Sequence, residues 1–443
     1  MNTARNKSSP TGQHSADPLF PRGHLLPFIL VTVLFFIWGM SNNLTDILVQ
    51  QFRKSFELSA MQAQLVQTAV FFGYFCMAIP AAFCMRRWGY KFGILAGLCL
   101  FGTGTLMFWP AAVIGRYPLM LGALFVVGCG SATLETAANP FIAESGSPAT
   151  SERRLNFSQA FNPPGTITGV LIGTFFIFSG VELSAAKVAQ MKAQGTYAGY
   201  LHGEMMRVVP TYVTLGCVVL LLAIIIGFTK FRDSPREQRE TDPDSLLRQI
   251  VSLLRRSQLR ASILAQACYC GAQVSTWSAF IPYVRQYTHS SDRSAGLLLT
   301  GNLIALALGR LISTGLMRWI NPARMMGAYA SINILLLGVA ILHPGSLGAG
   351  AILLTSFFMS IMFPTIFAMG IKGLGPETKL GGSLIVMSVV GAGIIPPVLG
   401  LVAKHTGSYA LGYMVVAVCY LVVAIYSLKA RSRTNIHTVP TPI

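Results

Sequence analysis

Two acidic residues, Asp46 and Glu135, lie inside long apolar stretches of the chain. The other thirteen of the fifteen acidic residues fall in polar loops or tails. A carboxylate at bilayer depth costs roughly 2.5 to 3.5 kcal/mol even on the lenient insertion scale, so such residues persist mainly where they face a cavity, a partner or a proton path. Asp46 and Glu135 are therefore the first candidates for proton-linked chemistry.

The first apolar stretch presents an aromatic ring, amides and a carboxylate on one helical face. Trp38, Asn42 and Asp46 follow one another at intervals of four residues, and Asn43 lies three residues before Asp46, which places them together on a helix. Flat aromatic surfaces cover the apolar faces of a pyranose, while amides and carboxylates bond its hydroxyl groups. The pattern favours a sugar-binding site. The alternative is hydrogen bonding between neighbouring helices.

Two further stretches carry polar stripes. Glu135 and Asn139 share a helical face among small residues that permit close helix packing. Gln159 and Asn162 follow Asn156 at helical spacing and end at a Pro-Pro-Gly break. We expect both stripes to face a cavity.

The second half of the chain contributes four candidate residues. Gln273 and Trp277 are one helical turn apart, and Asn302 and Arg310 lie in the next apolar stretch. Arg310 is the only deep cation, and it can pair with a carboxylate or donate hydrogen bonds to a sugar. Its alternative is to snorkel to the membrane surface. We favour the functional interpretation.

The composition predicts a membrane protein. Of the 443 residues, 53% are hydrophobic and only 11% are charged, against roughly 25% charged residues in a soluble domain. The apolar residues form runs long enough to cross a hydrocarbon core of about 30 Å as helices, without the alternation of a β-barrel. We predict twelve spans, numbered 1 to 12 in chain order: 25–52, 60–84, 91–114, 117–143, 155–180, 209–231, 260–286, 296–319, 324–343, 347–372, 380–404 and 408–430.

The basic residues follow the predicted topology. The net charge is +18, and when the loops alternate across the membrane, 23 of the 33 Lys and Arg residues lie on the side of the two tails and 9 on the other. By the positive-inside rule, both termini are cytoplasmic. Attraction to anionic membrane lipid follows from the same charges. No basic stripe is interleaved with exposed aromatic residues, so we expect no nucleic-acid partner.

A charged loop divides the spans into two sets of six. The loop, 232–259, contains an amphipathic segment at 245–256, which indicates a helix at the membrane surface or a solvated connector. Arg87-Trp88 at the exit of span 2 is echoed by Arg318-Trp319 at the exit of span 8. Duplicated halves build a site at the bilayer midplane. We predict an N-terminal tail (1–24), a six-helix bundle (25–231), a linker (232–259), a second six-helix bundle (260–430) and a C-terminal tail (431–443).

The chain resembles the major facilitator superfamily, whose signature between spans 2 and 3 is G-x-x-x-D-R-x-G-R-K. Arg87, Gly89 and Lys91 match it, whereas Arg86 occupies its Asp position and Tyr90 an Arg position. The runs FFIWGMSNNLTDIL (35–48), LETAANPF (134–141) and GIKGLG (370–375) are similar to the fucose:proton symporter branch. This resemblance covers nearly all of 25–430. It implies the major facilitator fold, an all-α membrane protein whose twelve transmembrane helices form two pseudo-symmetric six-helix halves.

The resemblance also implies that Asp46 and Glu135 bind sugar and exchange protons. Asn43, Gln159, Asn162 and Arg310 then correspond to polar residues of the family's sugar cavity. The chain departs from the family at Thr45, which replaces an Asn, and at Phe363, where close relatives have a Tyr. The paired Asn42-Asn43 favours the fucose permeases over the members that carry glucose, galactose or N-acetylglucosamine.

We therefore expect a proton-coupled symporter that imports L-fucose or a closely related sugar. Alternatives are a glucose/galactose or N-acetylglucosamine symporter and, less favoured by the amide-rich spans, a proton-driven exporter. We expect a monomer in a bacterial inner membrane, with protons as the coupling ion, no other cofactor, no metal and no enzymatic activity. The predicted sugar-binding residues are Trp38, Asn42, Asn43, Glu135, Asn139, Gln159, Asn162, Gln273, Trp277, Asn302 and Arg310.

Overall fold

The fold is described by a computed structural model that covers residues 25–58, 62, 65–177, 183–231, 243–289 and 292–436. These ranges contain no strand. Their short helical turns are Pro148–Thr150, Gly173–Ile177, Gly375–Glu377 and Ser388–Val390. Their α-helices are Leu25–Ser55, Leu65–Leu106, Phe108–Ile114, Tyr117–Glu144, Ser151–Gln159, Asn162–Ile172, Ala185–Ala193, Tyr197–Met206, Val208–Phe228, Pro243–Arg255, Ser257–Ser278, Phe280–Thr288, Asp292–Leu316, Pro322–Leu342, Ser346–Met359, Met362–Ile371, Thr378–Met387, Gly391–Thr406 and Tyr409–Ile436.

The helices account for twelve membrane crossings within the described ranges. Ten segments are long and apolar enough to span a membrane, and one of them, Leu65–Ile114, has 50 residues. At 1.5 Å per residue it is about 75 Å long, which is enough for two crossings. The chain turns at Gly89, where φ is 83°. The remaining crossing, span 7, is formed by Ser257–Ser278 and Phe280–Thr288, which carry more polar residues than the other spans.

Glycines bring paired spans together at backbone distance in both halves. A Cβ atom on Gly39 would lie 2.2 Å from the carbonyl oxygen of Asn162, so span 1 runs directly against span 5. A Cβ atom on Gly391 would lie 2.2 Å from the carbonyl oxygen of Ala267, so span 11 runs directly against span 7. The two contacts occupy corresponding positions, as expected for duplicated six-helix halves.

The buried apolar residues form two cores. The first lies among spans 1 to 6 and also receives Phe367 of span 10 and Leu384 of span 11. The second lies among spans 7 to 12 and contains the buried rings of Tyr269 and Tyr413. Spans 10 and 11 therefore contribute to both cores and join the two halves.

The amphipathic segment of the linker forms the helix Pro243–Arg255 and packs on the first half. Leu253 is buried in the first core and Ile250 packs against it. Arg86 Nη1 donates a hydrogen bond of 2.6 Å to Gln249 Oε1. We predicted a helix at the membrane surface or a solvated connector. In the structure one side of the helix packs on the protein, and Val251 on another side is exposed. We call the face of the molecule that carries this helix the linker face, and the opposite face the far face.

At the linker face, the described residues of the two halves are in close contact. The helix Ser151–Gln159 packs against Met362–Ile371, and Thr378–Met387 packs against Leu65–Leu106. Lys372 Nζ lies 3.1 Å from Glu152 Oε1. Lys379 Nζ lies 5.0 Å from the centre of the Tyr90 ring. The halves are thus tied together by packing and by charge on this face.

Candidate functional site

Glu135 is a buried acid on the helix Tyr117–Glu144. Its side chain is 3% exposed, and neither carboxylate oxygen has a hydrogen-bond partner within the described ranges. Gly128 and Gly130 hold this helix directly against the backbone of Val70 and Phe101. An unpartnered polar group costs free energy when buried, and a charged one costs far more. The position is therefore unsuited to a permanent charge.

Two aromatic residues flank Glu135. Trp38 Nε1 donates a hydrogen bond of 2.8 Å to the Tyr74 hydroxyl, which is close enough to Glu135 to interact with it electrostatically. The Trp38 ring lies 6.3 Å from that of Phe363, which belongs to the second half. A cavity of about 20 Å³ is lined by Trp38, Ser131 and Glu135, which is room for about one water molecule. The acid thus sits in an aromatic and nearly dry environment.

A chain of amide contacts leads from Glu135 to the second half. Asn139 lies beside Glu135, and its Oδ1 accepts a hydrogen bond of 3.1 Å from Gln159 Nε2. Asn139 Nδ2 is buried without a partner in the described part of the chain. The main-chain oxygen of Gln159 accepts a hydrogen bond of 2.9 Å from Arg310 Nη1. Spans 4, 5 and 8 are therefore joined across the centre of the molecule.

Arg310 does not snorkel to the surface. It is 4% exposed, and besides Gln159 it bonds the main-chain oxygen of Ser360 through Nε at 2.7 Å. No carboxylate among the described side chains forms an ion pair with it. The guanidinium group therefore bridges the two halves through carbonyl oxygens, with only two of its five N–H donors used in these bonds.

The other candidates of the second half form a separate cluster. Trp277 Nε1 donates a hydrogen bond of 3.3 Å to Ser356 Oγ, which donates one of 2.8 Å to Asn302 Oδ1. Asn302 is buried. Gln273, one turn before Trp277, is half-buried. The structure thus connects spans 7, 8 and 10 through this cluster.

The polar residues of span 1 differ in their surroundings. Asn42 is exposed and Asn43 is half-buried. Asn42 comes nine residues after the exposed Val33, which is half a turn round the helix, so it does not share that apolar surface. The Asp46 backbone belongs to Leu25–Ser55, but its side chain is outside the described residues. Asn162 of span 5 donates a hydrogen bond of 3.3 Å to the carbonyl oxygen of Phe35.

Sequence reasoning missed several residues of these networks. Tyr74 and Ser356 were not assigned roles, although both bond a predicted site residue. Asn156 was recognised only as part of a stripe, and its Nδ2 donates a hydrogen bond of 3.0 Å to Thr365 Oγ1 in the other half. Tyr74 could have been found from the sequence, because it lies in an apolar run and a buried tyrosine hydroxyl usually forms a hydrogen bond.

The arrangement combines a proton-exchanging group with hydrogen-bond donors and aromatic surface. Glu135 supplies a carboxyl group without a counter-ion, Asn139 supplies a free amide donor, and Trp38 supplies a flat ring. Because these groups lie next to contacts between the halves, a ligand bound here can change how the two halves pack against each other. The predicted roles of the individual residues stay predictions.

Comparison with known proteins identifies the family. The model of the Major Facilitator Superfamily matches residues 29–381. An L-fucose-proton symporter of Escherichia coli is 38% identical over 94% of this chain and 95% of its own length. A glucose/galactose transporter of Brucella abortus is 32% identical over 90% of this chain and 92% of its own. The crystal structure of the transporter FucP in the outward conformation has a TM-score of 0.85 and 37% identity, covering 92% of this chain and 99% of that chain. The chain belongs to the major facilitator superfamily and, within it, to the fucose:proton symporter family.

Proposed function

We propose that this chain imports L-fucose or a closely related sugar together with protons, by alternating access. The observation that carries the proposal is Glu135, a carboxyl group at membrane depth that is 3% exposed and has both oxygens unpartnered. Such a group is suited to taking up and releasing a proton rather than to holding an ion pair. The names of the relatives in Escherichia coli and Brucella abortus support a sugar as the other substrate.

The two intramembrane acids have different roles in this proposal. Asp46 is the main proton-coupling acid, and Glu135 is the sugar-linked acid that also exchanges a proton. Asp46 follows Trp38 by eight residues on the same helix, and Trp38 reaches Glu135 through Tyr74. Sugar bound against Trp38 therefore lies beside the residues that contact Glu135, where it can bias the protonation of this acid.

The sugar site takes ligands from both halves. Trp38 covers the apolar face of the ring, and Asn139 offers its unpartnered Nδ2 to a hydroxyl group. Arg310 offers its remaining N–H donors. The other proposed ligands are Asn42, Asn43, Gln159 and Asn162 in the first half and Gln273, Trp277 and Asn302 in the second. Contacts from both sides make closure around the sugar favourable.

Transport follows from rocking of the halves 25–231 and 260–430 about this site. In this proposal the linker face and both termini are cytoplasmic, which the excess of basic residues on that side supports, and the membrane is the bacterial inner membrane. The ion pair between Lys372 and Glu152 joins the halves at the linker face, which supports an outward-facing arrangement. Sugar and proton together shift the equilibrium toward the inward-facing state.

A 6-deoxy sugar suits the aromatic pair better than glucose or galactose. Trp38 and Phe363 approach each other from opposite halves, and Phe363 is 8% exposed with a purely apolar ring. The methyl group of L-fucose can pack against the apolar surface of this pair, whereas a hydroxymethyl group would leave a hydroxyl unpaired at a cost of about 1 to 3 kcal/mol. Glucose and galactose are the second candidate substrates, because the chain is also similar to a glucose/galactose transporter.

Uptake into proteoliposomes tests the proposal. The purified chain is offered radiolabelled L-fucose, galactose, glucose or N-acetylglucosamine, with and without an imposed proton gradient. We expect accumulation of L-fucose above the external concentration only when the gradient is present. Equal accumulation without a gradient would overturn proton coupling, and preference for galactose or glucose would overturn the assignment of the sugar.

A further inference from the structure

Two arginines of opposite halves lie close together at the linker face, at the seam between spans 5 and 8. Arg310 of span 8 bonds the main-chain oxygen of Gln159 of span 5 at 2.9 Å, and the two spans run side by side. Arg318 comes eight residues after Arg310, and Arg153 comes six residues before Gln159. Because the spans run in opposite directions, both arginines lie about 9 to 12 Å from that bond toward the linker face, at 1.5 Å per residue. Their guanidinium groups are near enough to interact electrostatically.

No carboxylate among the described side chains pairs with either arginine. Neither side chain forms an ion pair within the described ranges, and Arg153 Nε is buried there without a hydrogen-bond partner. The charged group that acts on Arg153 is Arg318, which has the same sign. The seam therefore holds two like charges without a counter-ion.

The described acids of the linker face are engaged elsewhere. Glu152 is next to Arg153 in the sequence, but its carboxylate pairs with Lys372 of span 10 at 3.1 Å. Glu377 pairs with Arg256 at the start of span 7. Glu144 keeps its negative charge at the end of span 4, where it accepts a hydrogen bond from a tyrosine at the start of span 3. These acids consequently belong to the contacts of spans 3, 7 and 10 rather than to the seam of spans 5 and 8.

The two arginines lie at the end of an apolar surface that faces lipid. Leu308 and Leu311 are exposed on span 8 and share a helical face with Arg318. A Cβ atom on Gly315, between Leu311 and Arg318, would meet no atom within 4 Å, so this face is open there. Trp319 beside Arg318 is exposed, and exposed tryptophans are typical of the membrane–water interface. A lipid at this surface would have its headgroup at the level of the arginines.

We propose that an anionic phospholipid binds at this seam, with its phosphate between Arg153 and Arg318 and an acyl chain along the exposed face of span 8. The guanidinium group presents N–H donors in a planar fork that matches phosphate oxygens. Basic pockets between spans on the cytoplasmic side are suited to anionic headgroups. The apolar surface below the arginines favours a lipid over a soluble anion.

The bound lipid favours the closed linker face. Without an anion, the two guanidinium groups repel each other across the seam, which favours separation of the halves. A phosphate between them attracts both arginines and replaces this repulsion by a contact that joins the halves. Anionic lipid would thereby slow inward opening. This regulatory consequence rests on the proposed transport function.

Native mass spectrometry of the purified full-length chain with added lipid tests the site. We expect phosphatidylglycerol to bind more tightly than phosphatidylcholine, whose headgroup carries a compensating positive charge. The variant R153Q/R318Q should bind phosphatidylglycerol about tenfold more weakly, and R153K/R318K should retain more of the affinity because it keeps both charges. R318Q alone should also weaken binding, and it serves if the double variant does not fold, because Arg318 is exposed.

R248Q/R255Q is the matched control, because it removes the same charge from two exposed residues of the linker helix. We expect this variant to keep the affinity of the unaltered chain. An equal loss in both double glutamine variants would mean general attraction to the basic face and would overturn the proposal. Absence of a preference for phosphatidylglycerol, or its displacement by inorganic phosphate, would overturn it as well.

Spin-label distances across the linker face in nanodiscs test the consequence. In phosphatidylcholine, R153Q/R318Q should have a larger closed fraction than the unaltered chain, because the repulsion is removed. Replacement by phosphatidylglycerol should raise the closed fraction of the unaltered chain and leave that of R153Q/R318Q unchanged. Equal responses of the two chains would refute regulation through this seam. Lipid binding does not require transport, so its failure is distinguishable from failure of the proposed function.

Discussion

Replacement of Glu135 by glutamine isolates the contribution of its proton. The substitution keeps the size of the side chain and one carbonyl oxygen but removes the exchangeable proton. In the structure the carboxyl group has no counter-ion and no hydrogen-bond partner within the described ranges. A neutral unpartnered group costs about 1 to 3 kcal/mol when buried, and an unpaired charge costs several kcal/mol. Glutamine should therefore be tolerated by the fold.

The expected effect lies in coupling. One proton that enters down a potential of 100 mV supplies about 2.3 kcal/mol. At one proton per sugar, this sustains roughly a fiftyfold accumulation, because each 1.4 kcal/mol is a factor of ten. If Glu135 must release its proton in every cycle, Glu135→Gln lowers the accumulation ratio from about fifty to about one. Exchange of internal for external sugar moves no net proton and should persist.

Proteoliposomes measure both activities on the same preparation. Accumulation is followed under an imposed proton gradient, and exchange is followed with unlabelled sugar inside and labelled sugar outside. Glu57→Gln is the matched control, because Glu57 is exposed and pairs with Lys192 on the far face. Full accumulation by Glu135→Gln would refute the coupling role. Loss of exchange as well as accumulation would show that the residue is needed for sugar binding or folding.

Three other predictions concern different parts of the molecule. Asp46→Asn should abolish proton-driven accumulation and leave exchange intact in the same assay, and normal accumulation would contradict its role. A double-mutant cycle of Glu152→Gln and Lys372→Gln measures how strongly this ion pair favours the closed linker face, and the fraction of open molecules is read from spin-label distances. We expect a coupling energy of about 0.5 to 1 kcal/mol, because Lys372 is half-exposed. A coupling energy of zero would mean that the pair does not hold the halves together. Gly39→Ala should lower the thermal midpoint by the equivalent of about 1 to 3 kcal/mol, because its Cβ would meet the span 5 carbonyl oxygen at 2.2 Å, whereas Gly122→Ala, with no atom within 4 Å, should be neutral or stabilising by up to about 1 kcal/mol.

The membrane architecture could be predicted because the composition of each span alone shows that it crosses the membrane. A helix that crosses lipid must be apolar over about 20 residues whatever its neighbours are. Span 7 was predicted at 260–286, and the structure forms it from Ser257–Ser278 and Phe280–Thr288. The prediction of the family was confirmed by the comparisons, since it rested on runs of contiguous residues.

The partners of the site residues could not be predicted in the same way. Arg310 and Asn302 both read as cavity residues of span 8, yet Arg310 bridges to carbonyl oxygens of two other spans while Asn302 bonds Ser356. The choice depends on the rotation and depth of each helix, which are set by packing against neighbours rather than by its own sequence. The linker helix shows the same limit, because its amphipathicity predicted a helix at the membrane surface or a solvated connector without saying that the first half would bury Leu253.

The sequence by itself determined that Glu135 would lie at bilayer depth, because the apolar residues on both sides of it form one membrane span. Only the tertiary structure decided that the oxygens of Glu135 would have no partner, that Tyr74 would lie beside it, and that Asn139 would bond Gln159, whose main-chain oxygen in turn bonds Arg310. Depth follows from transfer free energy, which is a property of the segment. Partnership follows from the close packing of several helices, which no single segment contains.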